Sequence, residues 1–326
     1  MPLIKSSSYT ERPFYLFNPH LETIVPSALR RVKIPPYIRE RITTPDDDFL
    51  DLDWLQGGHD QLVILSHGLE GDTSRPYIQG MAKAFAQNGW DVLAWNCRTC
   101  SGELNRAQRM YHHGVSDDLD AVVQYALKEN YKKLVLVGFS MGGSITLKYL
   151  GTHGKQLPEV LSRAIVFSVP CDLGGSARAL SEKGNAFYRK RFLRKLGKKI
   201  KAKANQMPGL IDCEGYEKIE HFPEFDGRFT APLHGFKDAD DFYQQASANR
   251  YIPAIRVPTL IVNAKNDPML PESCYPVELA RDHPFVYLEV PEKGGHVGFS
   301  LAGQSMNWAE RRALEFASAP AVPEQQ

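Results

Sequence analysis

Several protein classes are excluded by what this chain lacks. Across its 326 residues no window reaches the roughly 18 consecutive apolar residues of a membrane-crossing helix. Met1 to Arg31 has no apolar core of the kind a secretory signal needs, carrying Lys5, Glu11, Arg12 and several prolines instead. Neither sign of charge is in excess: 39 Lys and Arg stand against 38 Asp and Glu, a formal +1, so there is no global pull toward nucleic acid. The five cysteines, Cys97, Cys100, Cys171, Cys213 and Cys274, are odd in number and unevenly spaced. That pattern argues against a disulfide framework and for a reducing compartment, with the cytoplasm as the expected location. No internal repeat or low-complexity tract stands out. With 43% hydrophobic residues, the chain can bury a large core, and it reads as soluble or at most peripheral to a membrane.

What is there is an alternation of strand and helix patterns from about residue 61. Leu62 to Ser66 reads as a buried strand, Tyr77 to Asn88 as a helix stopped by Gly89, and Asp91 to Asn96 as the next strand. Ser116-Asp117-Asp118 opens a helix whose Leu119, Val122, Val123 and Leu127 share a face. Strands are then expected at Lys133 to Val137, Ala164 to Val169, Thr259 to Val262 and Val286 to Val290, with helices through Tyr149 and from Trp308 to Phe316. Such spacing implies right-handed βαβ crossovers and a mostly parallel central sheet with helices on both faces. Upstream, Tyr37 to Ile42 and Phe49 to Trp54 flank the turn-forming Thr44-Pro45-Asp46-Asp47, which suits an antiparallel hairpin at one sheet edge. From about 172 to 250 the alternation stops and charge rises, as expected of a helical cap insertion. The expected organisation is a core in two parts, 1–171 and 251–326, with the cap at 172–250 between them.

The chemistry is signalled by Gly138-Phe139-Ser140-Met141-Gly142, directly after the apolar run ending at Val137. A serine in a G-x-S-x-G turn between strand and helix stands clear of the backbone, because the glycines remove Cβ clashes. Serine alone is a weak nucleophile and needs a base, a carboxylate to orient that base, and donors for the oxyanion. Candidates follow later strands: Asp267 in Asn263 to Pro268, and His296 in Gly294-Gly295-His296-Val297-Gly298. The chain order Ser140, Asp267, His296 is the order of α/β-hydrolases. Each residue has a plainer reading: Ser140 as a small residue in a tight turn, His296 as a hydrogen-bonded loop histidine, Asp267 as a capping carboxylate before Pro268. Asp172, just beyond the 164–169 strand, competes for the acid, but it opens the cap rather than a short strand-end loop. The oxyanion donors are expected at the amides of Met141 and Leu69, the latter in the loop His67-Gly68-Leu69-Glu70-Gly71. His67 itself reads as a structural residue of that loop.

With these residues in place, the chain resembles the α/β-hydrolase superfamily, and within it the YheT-like branch. The narrower resemblance is carried by Asn18-Pro19-His20-Leu21-Glu22-Thr23, His67 to Gly71, Cys100 to Glu103 with Asn105-Arg106, Tyr111-His112, Thr230 to Phe236, and Gly294 to Phe299. It implies an α/β-hydrolase fold and a serine carboxylester hydrolase without cofactor or metal, acting on medium-chain or lipid-like acyl esters. One departure shows at Arg98-Thr99-Cys100-Ser101-Gly102, where Thr99 stands at a position that is usually glycine in the branch. The rival readings are acyl transfer to an alcohol in the same pocket, and a catalytically silent module that binds a membrane surface.

Other clusters carry less. Cys97-Arg98-Thr99-Cys100 is formally C-x-x-C, but a Ser-Gly turn follows it rather than a redox-type helix start. His112-His113 and Asp238-Ala239-Asp240-Asp241 match no metal-ligand spacing; the aspartates suit the cap of a helix beginning near Phe242. The basic run from Arg189 to Lys203 interleaves with Tyr188, Phe192, Leu196 and Ile200, so a helix there separates an apolar stripe from a cationic surface. That surface is either simply solvated or a contact for anionic lipid or an anionic substrate. No aromatic platform or reading helix accompanies it, so nucleic acid is not an expected partner.

Overall fold

The structure, a computed structural model, describes residues 3–320. Nine strands form one sheet: β1 (Leu3–Ile4), β2 (Ile38–Thr43), β3 (Phe49–Leu55), β4 (Gln61–Ser66), β5 (Asp91–Asn96), β6 (Lys133–Phe139), β7 (Leu161–Phe167), β8 (Thr259–Val262) and β9 (Val286–Glu289). Their spatial order is β1-β9-β8-β7-β6-β4-β5-β3-β2. Every pairing is parallel except β2 with β3 and β3 with β5, so the expected hairpin does form the antiparallel edge.

The helices are α1 (Pro19–Leu29), α2 (Pro76–Ala86), α3 (Ser116–Ala126), α4 (Met141–His153), α5 (Leu173–Ser181) and α6 (Ala186–Gln206). They continue with α7 (Phe222–Phe225), a π-turn at Asp226–Thr230, α8 (Ala231–His234), α9 (Ala239–Ala246), α10 (Val277–Ala280) and α11 (Trp308–Ser318).

The central strands are apolar along their whole length because both faces are covered. Alternation then sorts the side chains. Leu62, Ile64, Leu134 and Leu136 join the core under α3 and α4, while Val63, Leu65, Val135 and Val137 pack against α2 and α11 through Met81, Phe85, Trp308 and Phe316. Between β7 and β8 the chain makes helices and turns only, from α5 to α9. This is the helical insertion of an α/β-hydrolase fold, and it lies over the carboxyl ends of the strands.

Several details differ from the sequence expectations, among them the helix α1, which was not expected. The strand expected at 164–169 runs instead from Leu161 to Phe167, because Ser168 takes a left-handed φ of 53° and ends the ladder. The helix expected near Phe242 begins at Ala239, with Asp238 as its cap accepting from the Asp241 amide. The short strand β1, registered Leu3 to Leu288, was not expected; two residues carry no periodicity to read.

Candidate active site

Ser140 sits between β6 and α4 with φ 52° and ψ −117°, a region non-glycine residues occupy at a cost. The turn is that tight because the elements on either side touch backbone to backbone. A Cβ on Gly138 would stand 2.5 Å from the Gly142 oxygen, and one on Gly142 would stand 2.2 Å from the Ser66 oxygen. The Ser140 amide donates to the Phe167 carbonyl at 2.8 Å, which anchors the turn to β7.

His296 Nε2 lies 2.9 Å from Ser140 Oγ, and its Nδ1 lies 2.7 Å from Asp267 Oδ2. The other Asp267 oxygen accepts from the Met269 amide at 2.9 Å. A carboxylate only accepts, so the imidazole proton belongs on Nδ1 and Nε2 is left to accept from the serine hydroxyl. The Asp267 side chain is fully buried and that of His296 is 12% exposed. The three sequence-singled residues are thus brought together across 156 positions of the chain. Asp172 goes elsewhere: it caps α5, accepting from the Gly175 amide at 3.0 Å and from Ser273 Oγ at 2.6 Å.

The loop that carries His296 is held by residues for which sequence reasoning assigned no catalytic part. The Gly294 amide donates to Glu22 Oε2 at 2.5 Å, Gly295 to Asn266 Oδ1 at 3.1 Å, His296 to Thr23 Oγ1 at 2.9 Å and Val297 to Ser168 Oγ at 2.9 Å. Four successive N–H groups are therefore held by side chains from α1 and from the ends of β7 and β8. Glu22 is in turn paired with Arg12 at 2.7 Å. The only available signal was Asn18 to Thr23 as a stretch shared with the YheT-like branch.

Leu69 lines the same cavity as Ser140, and among the described residues its amide donates to no protein group. Met141 is the first residue of α4, so its amide has no acceptor within the helix. The loop is braced from below. His67 Nδ1 meets the Gly68 carbonyl at 2.8 Å and its Nε2 accepts from the Cys97 amide at 3.1 Å. Tyr77 OH accepts from the Gly68 amide at 3.0 Å. Glu70 accepts from the Tyr111 hydroxyl and from Lys199 Nζ, the latter at 2.9 Å.

The basic run needs a correction. α6 does bury Tyr188, Leu196 and Ile200, but its lysines do not all face outward. Lys195 donates to the Glu70 carbonyl at 3.0 Å, Lys199 also donates to Cys100 Sγ at 3.2 Å, and Lys203, wholly buried, donates to Asn105 Oδ1 at 3.1 Å. These three, four residues apart, form an inward ladder docking the insertion onto the loops after β4 and β5. Long aliphatic stems let them cross the apolar seam to reach polar groups. Lys190, Arg194, Lys198 and Lys201 form the exposed ridge.

Cys97 and Cys100 are unpaired and buried, with both thiols pushed up by burial. Among the described residues no cluster of His, Cys, Asp and Glu is arranged to hold a metal ion. Among the same residues no helix is long and apolar enough to cross a membrane.

Two lobes open from Ser140 and His296. The outer one is lined on one side by Arg30, Arg75, Arg191 and Lys195. The inner one, about 730 Å³ with its mouth, runs under the insertion between Leu173, Leu196, Phe222 and Phe225.

The family model described as "alpha/beta hydrolase fold" matches residues 61–302, most of the chain. The chain belongs to the α/β-hydrolase family. The protein YheT of Escherichia coli (strain K12) is 33% identical to it over 306 residues, covering 90% of this chain and 88% of that one, which puts it in the YheT-like branch. Mouse phospholipase ABHD3 is 31% identical over 279 residues, covering 81% and 67%. In fold, the chain is similar to the Pyrococcus furiosus esterase Pf2001, with a TM-score of 0.57, 19% identity, and coverage of 88% and 96%.

Proposed function

We propose that this α/β-hydrolase is a serine carboxylester hydrolase that cleaves medium-chain or lipid-like acyl esters through an acyl-enzyme. The observation that carries this reading is the Ser140–His296–Asp267 relay, with contacts of 2.9 and 2.7 Å, facing a cavity with an apolar inner lobe. Ester hydrolysis is the chemistry the family supports.

In this mechanism His296 Nε2 takes the Ser140 proton as Oγ attacks the acyl carbonyl, and Asp267 steadies the imidazolium. The amides of Met141 and Leu69 donate to the oxyanion. Collapse of the intermediate passes the proton from His296 to the leaving alkoxide. Water then repeats the sequence on the acyl-enzyme and releases the acid. The acyl chain lies in the inner lobe and the alcohol leaves through the outer, cationic one. In this reading 172–250 is the cap that selects substrate over a core made of 1–171 and 251–326, and the protein works in the cytoplasm, where its cysteines stay reduced.

The exposed ridge of Lys190, Arg194, Lys198 and Lys201 suits peripheral contact with an anionic membrane; co-sedimentation with anionic but not neutral vesicles tests that part. The main test is an ester panel of varied acyl length and headgroup with a fluorophosphonate probe. Labelling at Ser140 and loss of both labelling and turnover in Ser140→Ala are expected. Full turnover by Ser140→Ala overturns the assignment, and an excess of ester product with added alcohol favours acyl transfer.

A further inference from the structure

We infer that the inner lobe selects acyl chains bearing a hydroxyl group, and that His113 is the residue that reads it. The inference rests on the acyl-ester reading and names the substrate class of that site.

His113 lies on the lobe wall, on the loop between β5 and α3. Neither of its ring nitrogens has a hydrogen-bond partner among the described residues, and neither is sealed off within protein, as one ring nitrogen of His221 and one of His283 are. Burial pushes its pKa down to about 4, so the ring is neutral at physiological pH. An imidazole so strongly desolvated, yet still with accessible surface, has that surface turned to the lobe it lines. Buried polar groups without partners are rare, because each forfeits its hydrogen bonds to water. A neutral imidazole offers one donor and one acceptor.

The residues flanking it in sequence are held by contacts of their own. The Tyr111 hydroxyl bonds the Glu70 carboxylate. The Met110 amide donates to His234 Nε2 at 3.2 Å, and the His112 ring is edged by His234, Phe236 and Phe242. Asp226, on the same lobe, is pushed up to about 6 by burial, and its oxygens accept from Thr230 Oγ1 at 2.6 Å and from the Tyr243 hydroxyl at 2.7 Å. It sits on a π-turn, a distortion that recurs at functional sites.

The chemistry then narrows. No lysine or arginine lines this lobe, so an anionic group on the chain would meet Asp226 with no cation to offset it. A cationic group could share the Asp226 oxygens with Thr230 and Tyr243, but it only donates and so leaves the His113 N–H unpaired. A plain hydrocarbon leaves His113 unpaired. A hydroxyl both donates and accepts, matches a neutral imidazole, and costs least to desolvate among groups that do both.

The test is a set of p-nitrophenyl decanoates with one hydroxyl walked along the chain. At one position the hydroxyl is expected to raise kcat/KM over the plain ester by about tenfold, the worth of one net hydrogen bond. His113→Leu should erase the preference, read as the ratio of kcat/KM for the hydroxylated and plain esters in the same variant, and His113→Gln, which keeps a donor and an acceptor, should restore part of it. Calorimetry on Ser140→Ala with the methyl esters makes the same comparison without turnover. Equal affinity for hydroxylated and plain chains, or a preference that survives in His113→Leu, overturns the inference. Failure of Ser140 to take the fluorophosphonate would instead overturn the serine-hydrolase reading and leave the binding comparison to decide this one.

Discussion

Lys199 of the inserted helix reaches Glu70, next to the proposed oxyanion donor Leu69, and holds its carboxylate at 2.9 Å. The insertion and the catalytic loop are therefore joined by an ion pair rather than by apolar packing alone. Glu70 takes a left-handed φ of 54°, a conformation that persists only where surrounding contacts enforce it.

Removing the lysine should loosen the loop and the cap together. Lys199→Met is expected to lower stability by about 3 kcal/mol, since it leaves a buried carboxylate without its cation. It should also lower kcat by about tenfold with a smaller change in KM, because the donor is misplaced while the inner lobe is kept. Urea melts and steady-state kinetics on a p-nitrophenyl ester check both. Unchanged kcat would mean that the loop stands without the insertion.

The two candidate acids separate cleanly by substitution. Asp267→Asn is expected to cut kcat by roughly 10³–10⁴ by disfavouring the Nδ1–H tautomer of His296. Asp172→Asn should stay within about twofold, since asparagine caps a helix as well as aspartate does. A large loss at position 172 alone, read as kcat under saturating ester, would move the acid.

How much of this was legible follows from the range of each signal. The sheet could be read because Leu62 to Leu65 and Leu134 to Val137 are buried on both faces and so are apolar throughout. The elbow could be read because the glycines that relieve its backbone contacts lie within two residues of Ser140. The support for His296 could not: Glu22 meets Gly294 across 272 positions, and no local pattern encodes that meeting. The basic helix misled for a related reason. Lys195, Lys199 and Lys203 look like surface residues until the loops carrying Glu70 and Asn105 are folded beneath them.

Thr99 offers a gain rather than a loss. It holds φ at 65°, where a β-branched L-residue is strained by about 1–2 kcal/mol, and its buried hydroxyl has no hydrogen-bond partner among the described residues. Glycine, usual at this position in the YheT-like branch, removes both costs and adds about 0.4–1 kcal/mol of unfolded-state entropy against the fold. Thr99→Gly is therefore expected to stabilise the protein by about 1 kcal/mol, seen as a higher urea midpoint at unchanged slope. A lower midpoint would show that the Thr99 methyl packing outweighs the backbone strain.

The inner lobe should leave a signature in stability against pH, because two of its groups shift in ways that oppose each other. Asp226 is pushed up to about 6 by burial. Between pH 4 and 6 the unfolded chain has released this proton and the folded one has not, so Asp226 makes stability fall as pH rises through that window, by roughly 3 kcal/mol in all. His113 is pushed down to about 4. Between pH 6.5 and 4 the unfolded chain binds a proton that the folded one refuses, so His113 makes stability fall as pH drops through nearly the same window. The two slopes largely offset in the wild type. Asp226→Asn removes one of them and should expose the other, giving a steeper loss of stability from pH 6.5 down to 4. His113→Leu should do the reverse, with stability rising as pH falls from 6 to 4 relative to the wild type. Chemical melts at pH 7.5, 6, 5 and 4 on the three proteins read both slopes, and parallel curves for all three would mean that neither group is desolvated as the lobe requires.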